Sequence, residues 1–354
     1  MGNLCSPIPE VALAATLLLG LGFPSAAGAA SLPLPTNACG AGGWQVVRQV
    51  ELPQFTADQR RIGGFSALRY TPADDRLWLL SDLPRGTLSL WRGLSGPGAL
   101  RLERLVELGP GPGGNLGEMD GEGLVMGQRQ AWVASEGRRS RQRPAQLLRF
   151  DPERGSLLQA VPLPPDWQPA PGQGLASNGG PDSLIPLPLP EGAPSLLMAA
   201  ENPLLQDPPD RVRLLRWHWA PGEDPLRDAP RPEPQGSLAL PDGGGWGLTD
   251  LLPAGPDRLL ALMRRFTAPT TWEIRLELHA LPTPEAAEPA KALASWDLIA
   301  AGLVPDNWEA LAEGPPLPDG RSSLVLVSDD NLSPLQASRL ALLTADPPAC
   351  RERP

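Results

Sequence analysis

"LWLLSD" (Leu77–Asp82) and "LVLVSDDNLSPLQ" (Leu324–Gln336) lie about 250 residues apart, yet both are apolar strand-like runs that end in Ser-Asp. A chain that closes strands alike near both ends invites alignment with itself. Five segments then share a pattern of any residue, an acid or hydroxyl, any residue, and Leu. They are "FSAL" (Phe65–Leu68), "GEGL" (Gly121–Leu124), "PDSL" (Pro181–Leu184), "LTDL" (Leu248–Leu251) and "WEAL" (Trp308–Leu311), and successive starts are 56 to 67 residues apart. Each is followed by a second apolar run with a polar end, at Asp82, Glu136, Glu201, Arg264 and Asp329.

Two more strand-like runs complete each of the first four units, such as "LSLW" and "LRLERLVEL" after Asp82. Gly, Pro, Asp and Asn punctuate them, as expected of short strands. The fifth unit has only one further run, "SRLALLT", and the missing strand has a candidate upstream of the first unit, "WQVVRQVEL" (Trp44–Leu52). The expected fold is all-β: one β-propeller of five four-stranded blades, closed by the N-terminal strand. Six blades are the alternative, because Pro-rich stretches such as Pro162–Gln173 could hold weak strands.

The 354 residues include 46 Pro and 38 Gly, which break long helices and suit short strands. Charged residues make up 20% and apolar ones 41%, a globular composition. The net charge of −10 argues against nucleic acid and anionic membrane surfaces as partners, and favours a cationic ligand or a metal. Residues 1–30 read as a signal peptide: "VALAATLLLGLGF" (Val11–Phe23) is followed by Ala27-Gly28-Ala29, an A-x-A cleavage site, although Glu10 stands where a basic n-region is usual. Residues 31–354 form the propeller domain, expected to be secreted or periplasmic and monomeric. Cys39 and Cys350 flank the closure at the two mature ends, and in an exported protein they are expected to form a disulfide.

In a blade the first strand lines the channel and the second returns beside it. The two marked positions of every repeat therefore meet at one face. They are Ser66 and Asp82, Glu122 and Glu136, Asp182 and Glu201, Thr249 and Arg264, Glu309 and Asp329; seven of these ten are acids. Carboxylates crowded in one mouth repel each other, so some must bind a cation, pair with arginine or take up protons. Hard oxygen ligands point to Ca²⁺ or Mg²⁺, Ca²⁺ being the cofactor expected first, with Glu122, Glu136, Glu309 and Asp329 as first candidates and Asp82, Asp182, Glu201 and Asp330 behind them. Arg138 and Arg264, at the blade ends, are candidates for holding a phosphate. The alternative role for the ring is to cap strand ends and tie blades together.

Other chemistries lack their residues. In "GGFSAL" Leu68 stands where a nucleophile elbow needs Gly. "GPGPGGNLGEMDGEG" has no Lys-Ser/Thr after it, so it is not a P-loop. No Cys/His set has zinc spacing, and His218 and His279 fall inside third strands, where packing is the expected role.

The marked residues lie in blocks that resemble the phytase-like family with esterase-like activity. The most specific is "DNWEALAEGPPLPDGRSSLVLVSDDNLSPLQASRLALL" (Asp306–Leu343). "GGFSALRYTPADDRLWLLSD", "DGEGLVMGQRQAWVASEG" and "GLTDLLPAGPDRLLAL" resemble earlier blocks in the same order. Glu122, Glu136, Glu309, Asp329, Asp330 and Asn331 fall on matching motif positions. The third block departs, with Pro181 where an aromatic residue is expected before the acid. The resemblance implies an exported bacterial propeller acting as a metal-dependent phosphoric-ester hydrolase on a small-molecule substrate. The alternatives are a non-catalytic propeller that binds a ligand or partner, and a lactonase-type propeller hydrolase.

Overall fold

The computed structural model describes residues 43–345, apart from 139, 141, 142, 190 and 191. The proposed signal peptide, Cys39 and Cys350 lie outside the described residues.

Twenty strands form five antiparallel sheets of four. Blade 1 holds β2 (Phe65–Thr71), β3 (Arg76–Ser81), β4 (Thr87–Arg92) and β5 (Arg101–Glu107). Blade 2 holds β6 (Gly121–Met126), β7 (Ala131–Ser135), β8 (Gln146–Phe150) and β9 (Leu157–Pro162). Blade 3 holds β10 (Ser183–Pro186), β11 (Ser195–Ala199), β12 (Arg211–His218) and β13 (Arg231–Ala239). Blade 4 holds β14 (Trp246–Pro253), β15 (Arg258–Thr267), β16 (Thr271–Ala280) and β17 (Ala292–Asp297). Blade 5 holds β18 (Asn307–Glu313), β19 (Leu324–Asp329) and β20 (Arg339–Ala345), and its outer strand is β1 (Trp44–Glu51).

The five-blade closure is as expected. β1 pairs with β20 from Trp44 opposite Ala345 to Glu51 opposite Arg339. The inner strands β2, β6, β10, β14 and β18 each touch the next, and β18 returns to β2. The stretch after Pro162 forms turns with isolated bridges, not a sixth blade. The outer strand β13 accommodates Pro232 and Pro234 because it is a sheet edge, where a missing N–H is tolerated.

The opening quotation is continuously apolar because both faces of a blade are covered. Leu77 and Leu79 of β3 enter the core between blades 5 and 1, and Trp78 and Leu80 enter the core between blades 1 and 2. Likewise Leu324 and Leu326 of β19 face blade 4, and Val325 and Val327 face blade 1. A strand buried on both faces loses the polar-apolar alternation of a half-buried one. The chain has five such cores, one between each pair of neighbouring blades. The Leu of each repeat supplies one residue to a different core: Leu68, Leu124, Leu184, Leu251 and Leu311. The chain thus has a physical reason to keep Leu there while the residue two places earlier faces the channel.

Candidate functional site at the channel mouth

The second position of four repeats is the extra residue of a β-bulge. Pairing jumps from Phe65 to Ala67, from Gly121 to Gly123, from Leu248 to Asp250 and from Trp308 to Ala310, which leaves Ser66, Glu122, Thr249 and Glu309 outside the ladder. A bulge re-aims its side chain. In blade 3 the strand starts only at Ser183, directly after Asp182. This irregularity coincides with the sequence block that departs from the others.

The side chains converge on a cavity of about 570 Å³ at one end of the channel. Asp82, Glu122, Glu136, Asp182, Glu201, Glu309 and Asp329 all line it, together with Arg138 and Arg264. Asp120, Asn307 and Asn331 join them. Asp120 was not among the expected ring residues; its only signal was its place two residues before Glu122. Asp330 is elsewhere. It is fully buried and accepts hydrogen bonds from the Gly64 N–H (2.8 Å) and the Leu332 N–H (3.1 Å), with Arg61 at 2.6 Å. Thr249 also turns away, its hydroxyl donating to the Trp308 carbonyl at 3.3 Å. His279 is buried between the Ala290 carbonyl and Glu277, as expected of a packing residue.

The ring also ties blades together. Glu136 accepts from the Gly179 N–H at 3.0 Å, across the gap from blade 2 to the approach to blade 3. Glu201 abuts Gly247 of blade 4 so closely that a Cβ there would stand 2.6 Å from its Oε1. Glycine is therefore required at position 247 if the carboxylate is to stay. Asp330 plays the same part between blades 5 and 1.

The charges do not balance. Eight carboxylates line the cavity against two guanidinium groups. Arg264 bridges Glu201 at 2.8 Å and Glu309, and also donates to Asn307. Burial would lower its pKa, but Glu309 and Glu201 more than offset this and raise it. Arg143, behind the wall, holds Asp120 at 2.9 Å. Other acids of the mouth have no arginine ion pair among the described residues. Burial, reinforced by Asp120 and Glu309, pushes Asp82 up to about 7. Burial, with Asp82 and Glu309, pushes Asp329 up to about 8. Burial pushes Glu136 up to about 7 against the Gly179 hydrogen bond. Glu122 and Asp182 are raised well above the usual range, by burial first and then by neighbouring carboxylates. Asp82 Oδ1 is buried with no hydrogen-bond partner. Among the described residues no three Asp, Glu, His or Cys side chains are grouped so that they could already hold a metal ion.

One layer deeper, charged and polar side chains link blades across the channel. Arg69, from β2, donates to Asp250 at 3.2 Å, to the Leu68 carbonyl at 2.6 Å, to the Leu311 carbonyl at 3.5 Å and to the Leu184 carbonyl. Asp250 accepts from the Ser183 hydroxyl (2.9 Å), the Leu251 N–H (2.8 Å) and the Leu311 N–H (3.1 Å). This knot joins blades 1, 3, 4 and 5 at the level of the repeat leucines. The knot lies beneath the cavity, as the floor of a cup.

The family model described as "Phytase-like: Esterase-like activity of phytase" matches residues 60–332. No curated protein matches the chain. Among solved structures, an α-L-arabinanase of Cellvibrio cellulosa is 11% identical with a TM-score of 0.45, over 80% of this chain and 92% of that one. An α-L-arabinofuranosidase of Clostridium thermocellum is 11% identical with a TM-score of 0.43, over 74% and 80%. Hydrazine synthase of Kuenenia stuttgartiensis is 10% identical with a TM-score of 0.35 over 80% of this chain, and the chain spans 61% of its length.

Proposed function

The chain belongs to the phytase-like family, and from that membership and the acidic cup we propose that it is an exported, monomeric hydrolase of phosphoric esters that works with a bound divalent cation, Ca²⁺ in the first place. One observation carries the reading: eight carboxylates line a cavity that holds two arginines, and Asp82 Oδ1 is left buried without a partner. The donor chemistry fits a hard cation, since every candidate ligand is an oxygen. The carboxylates Glu122, Glu136, Glu309 and Asp329, backed by Asp82, Asp182 and Glu201, would hold the ion by closing on it. Asp330, already satisfied by Arg61 and Gly64, would support them from behind. A bound cation supplies polarisation of a phosphoryl oxygen and a more acidic water.

The chain's own residues bind and orient the ester. Arg264 offsets negative charge on the phosphoryl oxygens, and to do so it shares the guanidinium now given to Glu201 and Glu309. Arg138 stands at the rim with the same charge.

Purified protein should release phosphate from a phosphomonoester when calcium is added after chelation, and not before. No release with calcium, magnesium or manganese overturns the hydrolase reading. A second reading has its own observation. Arg264 already pairs Glu201 with Glu309, as a purely structural or ligand-binding ring would require. Metal content of protein recovered from the periplasm separates the two: a stoichiometric divalent cation supports the first, and a metal-free protein supports the second.

A further inference from the structure

We propose that the hairpin β15–β16 of blade 4 is the specificity element of the cup, and that its Phe266–Trp272 pair holds the aryl group of a phosphomonoester whose phosphate enters the cavity. This rests on the phosphoester reading above. The hairpin is built unlike the other connections on the mouth face. β15 and β16 are ten residues each, and their pairing continues to Thr267 opposite Thr271. The neighbouring β14 is already exhausted at Trp246 opposite Arg265, so the last residues of the hairpin stand beyond the blade. In blades 1, 3 and 5 this connection is loop and turn, and in blade 2 its described residues hold one isolated bridge, Arg138 opposite Arg143.

The extension is continuous with the cup. Arg264 lines the cavity, and Phe266 lies two residues on, so both project from the same face of β15. Trp272 is opposite Phe266 in the ladder. The Arg264 guanidinium lies 5.9 Å from the centre of the Trp272 ring, and the Trp272 and Phe266 rings are 4.6 Å apart at 44°. A path of flat surface thus runs from the phosphate-facing guanidinium out to solvent. At its end Phe266 is 48% exposed, a large apolar ring with no core to explain it.

Charge narrows the substrate from the other side. Arg138 and Arg264 are the cations lining the cup among the described residues, and the latter is shared between two acids. A polyol carrying several phosphates would bring far more negative charge than two guanidiniums match. A single phosphate on a planar apolar group matches both the cup and the hairpin. Aromatic stacking of this kind is worth a few-fold to about tenfold in affinity.

The test compares phenyl phosphate with glycerol phosphate as substrates of the calcium-loaded protein, and phenylphosphonate with methylphosphonate as non-hydrolysable ligands followed by calorimetry and tryptophan fluorescence. The expected result is a lower KM for phenyl phosphate and tighter binding of phenylphosphonate. Phe266→Ala should narrow that preference about three- to tenfold, and Phe266→Leu should narrow it less. Equal affinity for the two phosphonates, an unchanged preference in Phe266→Ala, or no phosphonate binding at all would each overturn the assignment. Phenylphosphonate preference without turnover would remove the hydrolase reading and leave the hairpin as the recognition element.

Discussion

The two levels of the central channel place charged side chains in one shaft and treat them in opposite ways. At the floor, Arg69 meets Asp250, and both carboxylate oxygens are occupied by donors from four blades. At the mouth, one layer above, acids outnumber arginines, and Asp82, Glu136 and Asp329 are pushed up to between about 7 and about 8. Paired charge at the floor joins the blades. Unpaired charge at the mouth works against the fold, and the cation proposed above would compensate it.

The comparison breaks most visibly at the floor. Asp250→Ala leaves Arg69 buried without its partner and should cost about 3–5 kcal/mol in denaturant unfolding, the usual size for a broken buried pair. Replacing both, as Arg69→Met with Asp250→Leu, should recover most of that loss. A single-variant cost below about 1 kcal/mol would mean that the knot is not a structural element.

At the mouth the larger effect is that of the cation. Calcium added to chelator-treated protein should stabilise it by about 2.7 kcal/mol at roughly one hundred times its dissociation constant. Glu122→Gln combined with Glu309→Gln should abolish most of the rise in melting temperature. If calcium, magnesium and manganese all leave the melting temperature unchanged, mouth and floor are both structural and the contrast disappears.

A smaller effect sharpens the same point. Asp82, Glu136 and Asp329 have folded-state pKa values above those of the unfolded chain. The folded, metal-free protein therefore holds extra protons between about pH 4 and these values, and stability falls as pH rises through 7 to 8. Calorimetry should show a loss of at least about 1.4 kcal/mol from pH 5.5 to 8, equivalent to one pKa unit. Calcium should suppress that slope, as should Asp82→Asn with Asp329→Asn. Stability that rises over this interval would contradict the account of the mouth.

The smallest effect is a control. Arg104 and Glu153 pair between blades 1 and 2 on the outer surface, 43% and 67% exposed. Glu153→Ala should change stability by no more than about 0.5 kcal/mol, since water screens such pairs. A larger change would show that blade contact, and not burial, sets the value of a charge here.

The repeat of acid and leucine was enough to expect four-stranded blades and the closure by Trp44–Glu51, because a strand's side-chain period and its terminating residues are local properties of the chain; the structure decided five blades over six. It was also enough to place seven acids and two arginines in one cavity. Burial on both faces was legible in "LWLLSD" as apolar continuity. What tertiary structure alone decided is which charge meets which. Asp329 faces the cup while Asp330 turns to Arg61, although the two are adjacent and alike in sequence. Thr249 turns to a backbone carbonyl, and the next residue, Asp250, is drawn into the floor by Arg69 from a strand 181 positions away. Asp120 enters the ring from a loop. Arg264 clasps two acids from separate blades, and the Phe266–Trp272 pair stands over the mouth because β15 and β16 outrun β14. Sequence fixes the chemical type and period of each residue. The partner of a buried charge depends on distances across the channel, which exist only when five blades have closed.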